Sequence, residues 1–226
     1  KKYKLKELEG LEYYFIIMDN TLGVIGLVRI YDFDGSTWNQ LGADIVGNTN
    51  SETGYSVDLS NHGDTIIIGS PKANGDGGEI NVYNWNSISW DLLEYIHGNN
   101  GQRAGESVAI NGDGSIIAFG SPESCYGGNC GNRTGGIHMY FLSPSGGSSG
   151  TAGGPGFYGV YSIMGSAIYG TLGNLDLFGK SISLSNDGYT VAAGSPNADE
   201  SVDPVTNSGG TNSGMVRILR WNQSTM

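Results

Sequence analysis

The sequence predicts an all-β fold, a β-propeller built of four-stranded antiparallel blades, and three observations carry that expectation. A stretch of constant length occurs three times: Gly54 to Pro71 (GYSVDLSNHGDTIIIGSP), Gly105 to Pro122 (GESVAINGDGSIIAFGSP) and Gly179 to Pro196 (GKSISLSNDGYTVAAGSP). Each copy keeps Ser at its third position and Gly at its tenth and closes on Gly-Ser-Pro, which marks an internal repeat. A short apolar segment recurs beside these copies as Val28-Arg-Ile-Tyr31, Ile80-Asn-Val-Tyr83, Ile137-His-Met-Tyr140 and Val216-Arg-Ile-Leu219. Finally, 39 of 226 residues are glycine while only 15% are charged. With Val, Ile, Tyr and Trp interleaved, that composition indicates many short strands and tight turns; disorder competes only for the glycine-rich parts.

Within one copy, Ser181, Ser183 and Ser185 alternate with Ile182 and Leu184, the period-two pattern of a half-buried first strand. Asn186-Asp187-Gly188 then places glycine where a hairpin needs positive φ. The second strand, Thr190 to Gly194, is nearly all small or apolar, as expected of a strand buried on both faces. Pro196, like Pro71 and Pro122, ends it because proline cannot donate to a ladder. The segments at Tyr31, Tyr83 and Tyr140 form a third strand, with the tyrosine ring packed between sheets. A fourth strand follows at Ser36 to Ile45 and at Ser89 to Ile96, with Trp38 and Trp90 at the same place.

Taken in order, the chain divides into units of approximately 1–47, 48–98, 99–170 and 171–226, in one domain or one segment of a domain. The first is degenerate. Lys1 to Glu9 fits an outer strand or a short helix, and Tyr13 to Met18 falls where a second strand belongs without its Gly-Ser-Pro. The third carries a Gly/Ser-rich insertion, residues 143–156, before a fourth strand within Tyr158 to Tyr169. The last has an expanded loop, Asn197 to Gly214, and stops at Trp221-Asn-Gln. Four strands in about 51 residues, repeated in tandem, suit a propeller blade, whereas a β-sandwich leaves the recurring order unexplained. About four such blades are present, as a small ring or as part of a larger or assembled one.

Leu41-Gly-Ala-Asp-Ile45, Phe178-Gly179, Ser181 to Ser185, Asp187-Gly188, the Gly-Ser-Pro triplets beginning at Gly69, Gly120 and Gly194, and Val216-Arg-Ile218 together resemble the FG-GAP repeats, which are related to the blades of integrin α-subunit propellers. The resemblance covers about residues 28 to 221 and implies a secreted or surface-exposed propeller. Phe-Gly is intact at Phe178-Gly179 but reads Thr53-Gly54 and Ala104-Gly105 elsewhere, and the family's Gly-Ala-Pro is Gly-Ser-Pro here. Some blades of the family carry an Asp-rich calcium loop between the first two strands. Here the connections Asn61-His-Gly, Asn111-Gly-Asp-Gly and Asn186-Asp-Gly are too short and ligand-poor for an ion that wants six to eight oxygens. Asp76, Glu79, Asp199, Glu200 and Asp203 are weak metal candidates, solvated acidic loops being the simpler account. No cofactor is expected, with calcium as the minor alternative.

Catalytic patterns are sparse. His62, His97 and His138 fall in a turn, at a strand end and in a strand, with no ligand spacing. No Gly-x-Ser-x-Gly elbow leads from strand to helix, and Gly75-Asp-Gly-Gly78 lacks the lysine and helix of a phosphate loop. The net charge of −11 argues against nucleic acid, which needs clustered Lys and Arg. No apolar run approaches the roughly 18 residues that cross a bilayer. The chain begins at Lys1 without a signal-peptide pattern, which reads as a processed form or an excerpt of a longer polypeptide. Cys125 and Cys130 bracket a glycine-containing loop of a size that a disulfide can close, with free thiols as the alternative. Sequons at Asn132 and Asn222 point, with that loop, to an extracellular or cell-surface setting. The expected function is therefore a non-enzymatic module for adhesion, protein or glycan interaction through its loops, or assembly into a homo-oligomer, surface filament or matrix. A secreted glycan-active lyase or hydrolase with a site on the propeller axis is the alternative.

Overall fold

A computed structural model describes residues 26–125, 133–143, 161–170, 176–198 and 213–222 with side chains, and residues 2–7, 13–19, 25 and 160 as backbone. The fold is all-β, and its strands form four antiparallel sheets taken up one after another along the chain. The first contains β1 (Lys2–Glu7), β2 (Tyr13–Asp19), β3 (Ile25–Phe33), β4 (Trp38–Gln40) and β5 (Ile45–Thr49). The second runs β6 (Ser56–Leu59), β7 (Thr65–Ser70), β8 (Glu79–Trp85) and β9 (Trp90–His97). The third is β10 (Ser107–Ile110), β11 (Ile116–Ser121), β12 (Gly136–Ser143), β13 (Val160–Ile163) and β14 (Ile168–Tyr169). The fourth has β15 (Ser181–Leu184), β16 (Thr190–Ser195) and β17 (Met215–Arg220). The opening stretch Lys1 to Glu9, open between strand and helix on sequence grounds, holds a strand.

Register repeats from sheet to sheet. Phe33 faces Trp38, Trp85 faces Trp90 and Leu142 faces Tyr161, so Tyr161 takes the tryptophan's place in the third sheet. Further along the same strands Val28 faces Ile45, Ile80 faces Ile96 and Ile137 faces Ile168. The fourth strand is not always continuous. Where the sequence suggests one strand from Ser36 to Ile45, the chain bends at Leu41 to Asp44, and a matching bend separates β13 from β14. Gly42 (φ +77°) and Gly165 (φ +75°) sit in these bends, where a Cβ would strike the ring of Trp85 in the next sheet and that of Trp221 just after β17. Positive φ and close ring approach together call for glycine.

The core lies between sheets. Val28, Ile30 and Ile45 of the first sheet pack with Val57, Leu59, Ile66 and Ile68 of the second. Ile67, Ile80 and Val82 of the second pack with Val108, Ile110, Ile117 and Phe119 of the third. Ile116, Ala118, Ile137 and Met139 of the third then meet Phe178, Val191 and Ala193. Alternation explains the arrangement: Ile66 and Ile68 point to one neighbour and Ile67 to the other, so the central strand must be apolar on both faces. The fourth sheet departs from the sequence expectation. Residues of β16 alternate between half-buried and buried, because its far face carries no further sheet among the described residues. Val216 and Ile218 there are 69% and 72% exposed.

The repeated motif residues close the first two strands of each repeat copy onto one another. The N–H groups of Gly54, Gly105 and Gly179 donate to the carbonyls of Gly69, Gly120 and Gly194 within their own units. Their φ values of +83°, +83° and +85° favour glycine. Phe178 is fully buried against the third sheet, while Tyr83 and Tyr140 pack toward the sheet that precedes each of them.

Candidate functional site

Three hairpin turns converge at one end of the stacked sheets. They are Ser60 to Asp64, Asn111 to Ser115 and Ser185 to Tyr189, each with its glycine (Gly63, Gly114, Gly188) at positive φ. Every turn is closed the same way. Side-chain oxygens of Ser60, Asn111 and Ser185 accept from the backbone N–H of Thr65, Ile116 and Thr190 at 3.1, 2.8 and 2.9 Å. These same side chains donate to the carboxylates of Asp64, Asp113 and Asp187. The turns also bond to one another: Asn61 N–H to the Gly112 carbonyl (2.8 Å), Gly112 N–H to the Asn186 carbonyl (2.9 Å), and the Asn61 amide to Asn186 Oδ1 (2.6 Å). A Cβ on Gly112 would collide with the Asn186 carboxamide, so the junction depends on glycine there.

Beside this junction is a cleft of about 440 Å³ lined by Asn61, His62, Asn111, Asp113, Asn186, Asp187 and Tyr189. Ser115, Ile116 and Tyr189 also belong to a second, more apolar groove of about 370 Å³ formed by Phe141, Leu142, Ile163, Met164 and Trp221. One continuous surface thus joins an amide- and carboxylate-rich end to an apolar shelf. The Ser115 hydroxyl, together with its N–H and the Asn111 amide, holds the Asp113 carboxyl below its ordinary value. Asp187 is lowered in the same way, first by Ser185 and then by the Tyr189 N–H. These acids are kept ionised, the opposite of what a neutral-pH general acid requires.

At the opposite end an ion network crosses from sheet to sheet. Arg103 lies 2.9 Å from Glu106, 3.7 Å from Glu123 and 3.8 Å from Glu52, and Lys180 pairs with Glu106. The Glu106 side chain is only 2% exposed. Burial alone would raise its pKa; hydrogen bonds from Lys180 and Arg103 outweigh that and lower it.

The residues singled out by sequence fall into different settings. Trp90 donates its indole N–H to the Leu41 carbonyl of the preceding sheet at 2.9 Å, and Trp38 lies against Phe33 with ring centroids 5.1 Å apart. Asp76 sits in a turn whose carbonyl accepts Arg103 N–H, while Glu79 accepts from Asn81 and approaches His97 at 3.4 Å. Neither belongs to a group of metal-binding side chains among the described residues. Asp199, Glu200 and Asp203 lie outside the described residues, as do Cys130 and Asn132. The disulfide expected between Cys125 and Cys130 is accordingly not seen among the described residues. Cys125 is half-buried and pairs across the loop with Arg133 in an antiparallel bridge. Asn222 is exposed just after β17. The three histidines remain separate: His62 at the cleft, His97 beside Asn74 (2.7 Å) and His138 stacked on Phe119.

Sequence reasoning treated the hairpin turns one at a time, as calcium loops that were too small, and so missed the cleft they build together. The available signal was the polar residue at matching turn positions, Asn61 and Asn186. The ion network was missed because its members are far apart in the chain. No protein-family model matches the chain, and no curated protein matches it.

Proposed function

We propose that the chain is a non-enzymatic, extracellular β-propeller module in which each sheet is a blade, and that it binds a protein or glycan partner at the hairpin end. The FG-GAP resemblance is the source of the propeller reading, and the sheet-to-sheet cores with their recurring register support it. The observation that carries the binding reading is the chemistry of the cleft. Amides, hydroxyl-bound carboxylates and the Tyr189 ring offer hydrogen bonds and a stacking face, and the adjoining shelf offers apolar contact. Ionised acids tied to their own turns suit recognition better than proton transfer. The reading assigns no cofactor.

Saturation-transfer NMR with neutral oligosaccharides and with peptides, paired with a product assay, tests this. Binding without turnover, weakened in Tyr189→Ala and Asn186→Ala, is expected. Turnover abolished in Asp113→Asn or Asp187→Asn would instead establish the glycan-active enzyme. Peptide mass analysis of native material tests the extracellular assignment: a Cys125 to Cys130 bond or a glycan on Asn132 supports it, and absence of both counts against it.

A further inference from the structure

We propose that the far face of the fourth sheet is a docking surface for the first sheet of a second copy of this chain, so that copies join head to tail. This deepens the partner of the module and rests on the stacking part of the reading above, not on its ligand.

The molecule itself shows what covers such a face, because the same face is covered in each preceding sheet. Ser56 donates to the Gly105 carbonyl of the next unit at 2.7 Å, and Ser107 to that of Gly179 at 2.6 Å. Ser181 holds the same place and is exposed. A Cβ on Gly69 would meet the Gly105 carbonyl and one on Gly120 that of Gly179; on Gly194 it meets only Ser181 of its own sheet. Gly26, Gly78 and Gly135 are backed by Thr53, Ala104 and Phe178 of the next unit, whereas near Gly214 stand only Ser195 and Pro196 of its own. Val28 and Ile30, Ile80 and Val82, and Ile137 and Met139 are buried under the following sheet; Val216 and Ile218 occupy those positions in the open. A hydroxyl donor, two glycine hollows and an apolar pair are thus left in the arrangement used at the earlier junctions.

The matching half is on the first sheet. Trp90 and Tyr161 face the sheet that precedes theirs, and Trp38, in the same register, is 41% exposed. In Val216 and Ile218 at one end and Trp38 at the other, one molecule therefore presents apolar parts of the two unlike sides of one kind of junction, the condition for heterologous association into rings or filaments. A tail-to-tail dimer would use only the Val216 and Ile218 side.

Light scattering and sedimentation of the full chain across a concentration series test the proposal, with Ile218→Glu blocking the tail and Trp38→Glu the head. Concentration-dependent association is expected for the native chain and monomers for each variant alone. An equimolar mixture of the two variants should stop at a 1:1 dimer, because one live tail and one live head remain. Val216→Glu, on the same exposed face, serves as the tail variant should Ile218→Glu fail to fold. A native chain that stays monomeric throughout, association that neither Ile218→Glu nor Val216→Glu weakens, or dimers of Trp38→Glu alone would overturn it. Association without ligand binding, or binding by a strict monomer, separates this inference from the reading of the cleft.

Discussion

His138 is held in a setting that opposes its charged form. Its ring stacks on Phe119 at 4.9 Å with 13° between planes, Nε2 is buried without a hydrogen-bond partner among the described residues, and burial lowers its pKa to about 4. A base whose folded pKa lies below its unfolded value of 6.5 stabilises the fold above that pH, and the contribution is lost as pH falls from 6.5 toward 4. The full difference is roughly 3 kcal/mol. His138→Phe keeps the stack and removes the titration, so its urea midpoint should fall less than the native one between those pH values; parallel curves would refute the assignment. Glu106 works in a different window. Its folded pKa is lowered, so its contribution is present above the ordinary carboxylate value and lost as pH falls through the lowered one. Lys180→Met should cost about 2 kcal/mol at neutral pH, with the difference shrinking once Glu106 is protonated in both proteins. A deficit that persists unchanged in acid would mean that Lys180 acts by packing alone.

Glycine at the end of each second strand can be tested at the scale of the element. Gly120 and Gly194 are equivalent in β11 and β16, yet a Cβ at the first would run into the backbone carbonyl of Gly179 and at the second would meet a movable serine side chain. Gly120→Ala should therefore destabilise by about 3 kcal/mol or more, and Gly194→Ala by less than about 1 kcal/mol, in denaturant unfolding. Equal costs would show that glycine serves the strand and not the junction. The strands and hairpins themselves were legible in sequence, because the alternation around Ser181 to Leu184 and the glycines at the turns act over a few residues. The bends at Gly42 and Gly165 were not. They exist to admit an indole from a neighbouring unit, and a local pattern carries no record of a neighbour.

For the whole molecule, the buried clusters lie at the junctions between successive sheets, so stability is expected to be distributed over those junctions. Phe178 plugs the junction between the third and fourth sheets and lies beneath Arg217, whose guanidinium sits 4.9 Å from the ring centroid. Phe178→Ala should cost about 3–5 kcal/mol, and hydrogen exchange should show the loss concentrated in the last two sheets; uniform loss would indicate a single cooperative core. The hairpin cleft was hidden from sequence for a related reason. Asn61, Gly112 and Asn186 come from three different sheets, and their bonds depend on how the sheets stack.

By itself the sequence determined the strand-turn-strand grammar: which stretches pair, where the chain reverses, and which strand is apolar on both sides. Those properties follow from side-chain alternation and backbone sterics, which are local. Only the tertiary structure decided which faces are covered, where Glu106 finds its cations, and that three ordinary turns meet to line a cleft. Those outcomes depend on distances between residues remote in the chain, and such distances exist only once the sheets have packed.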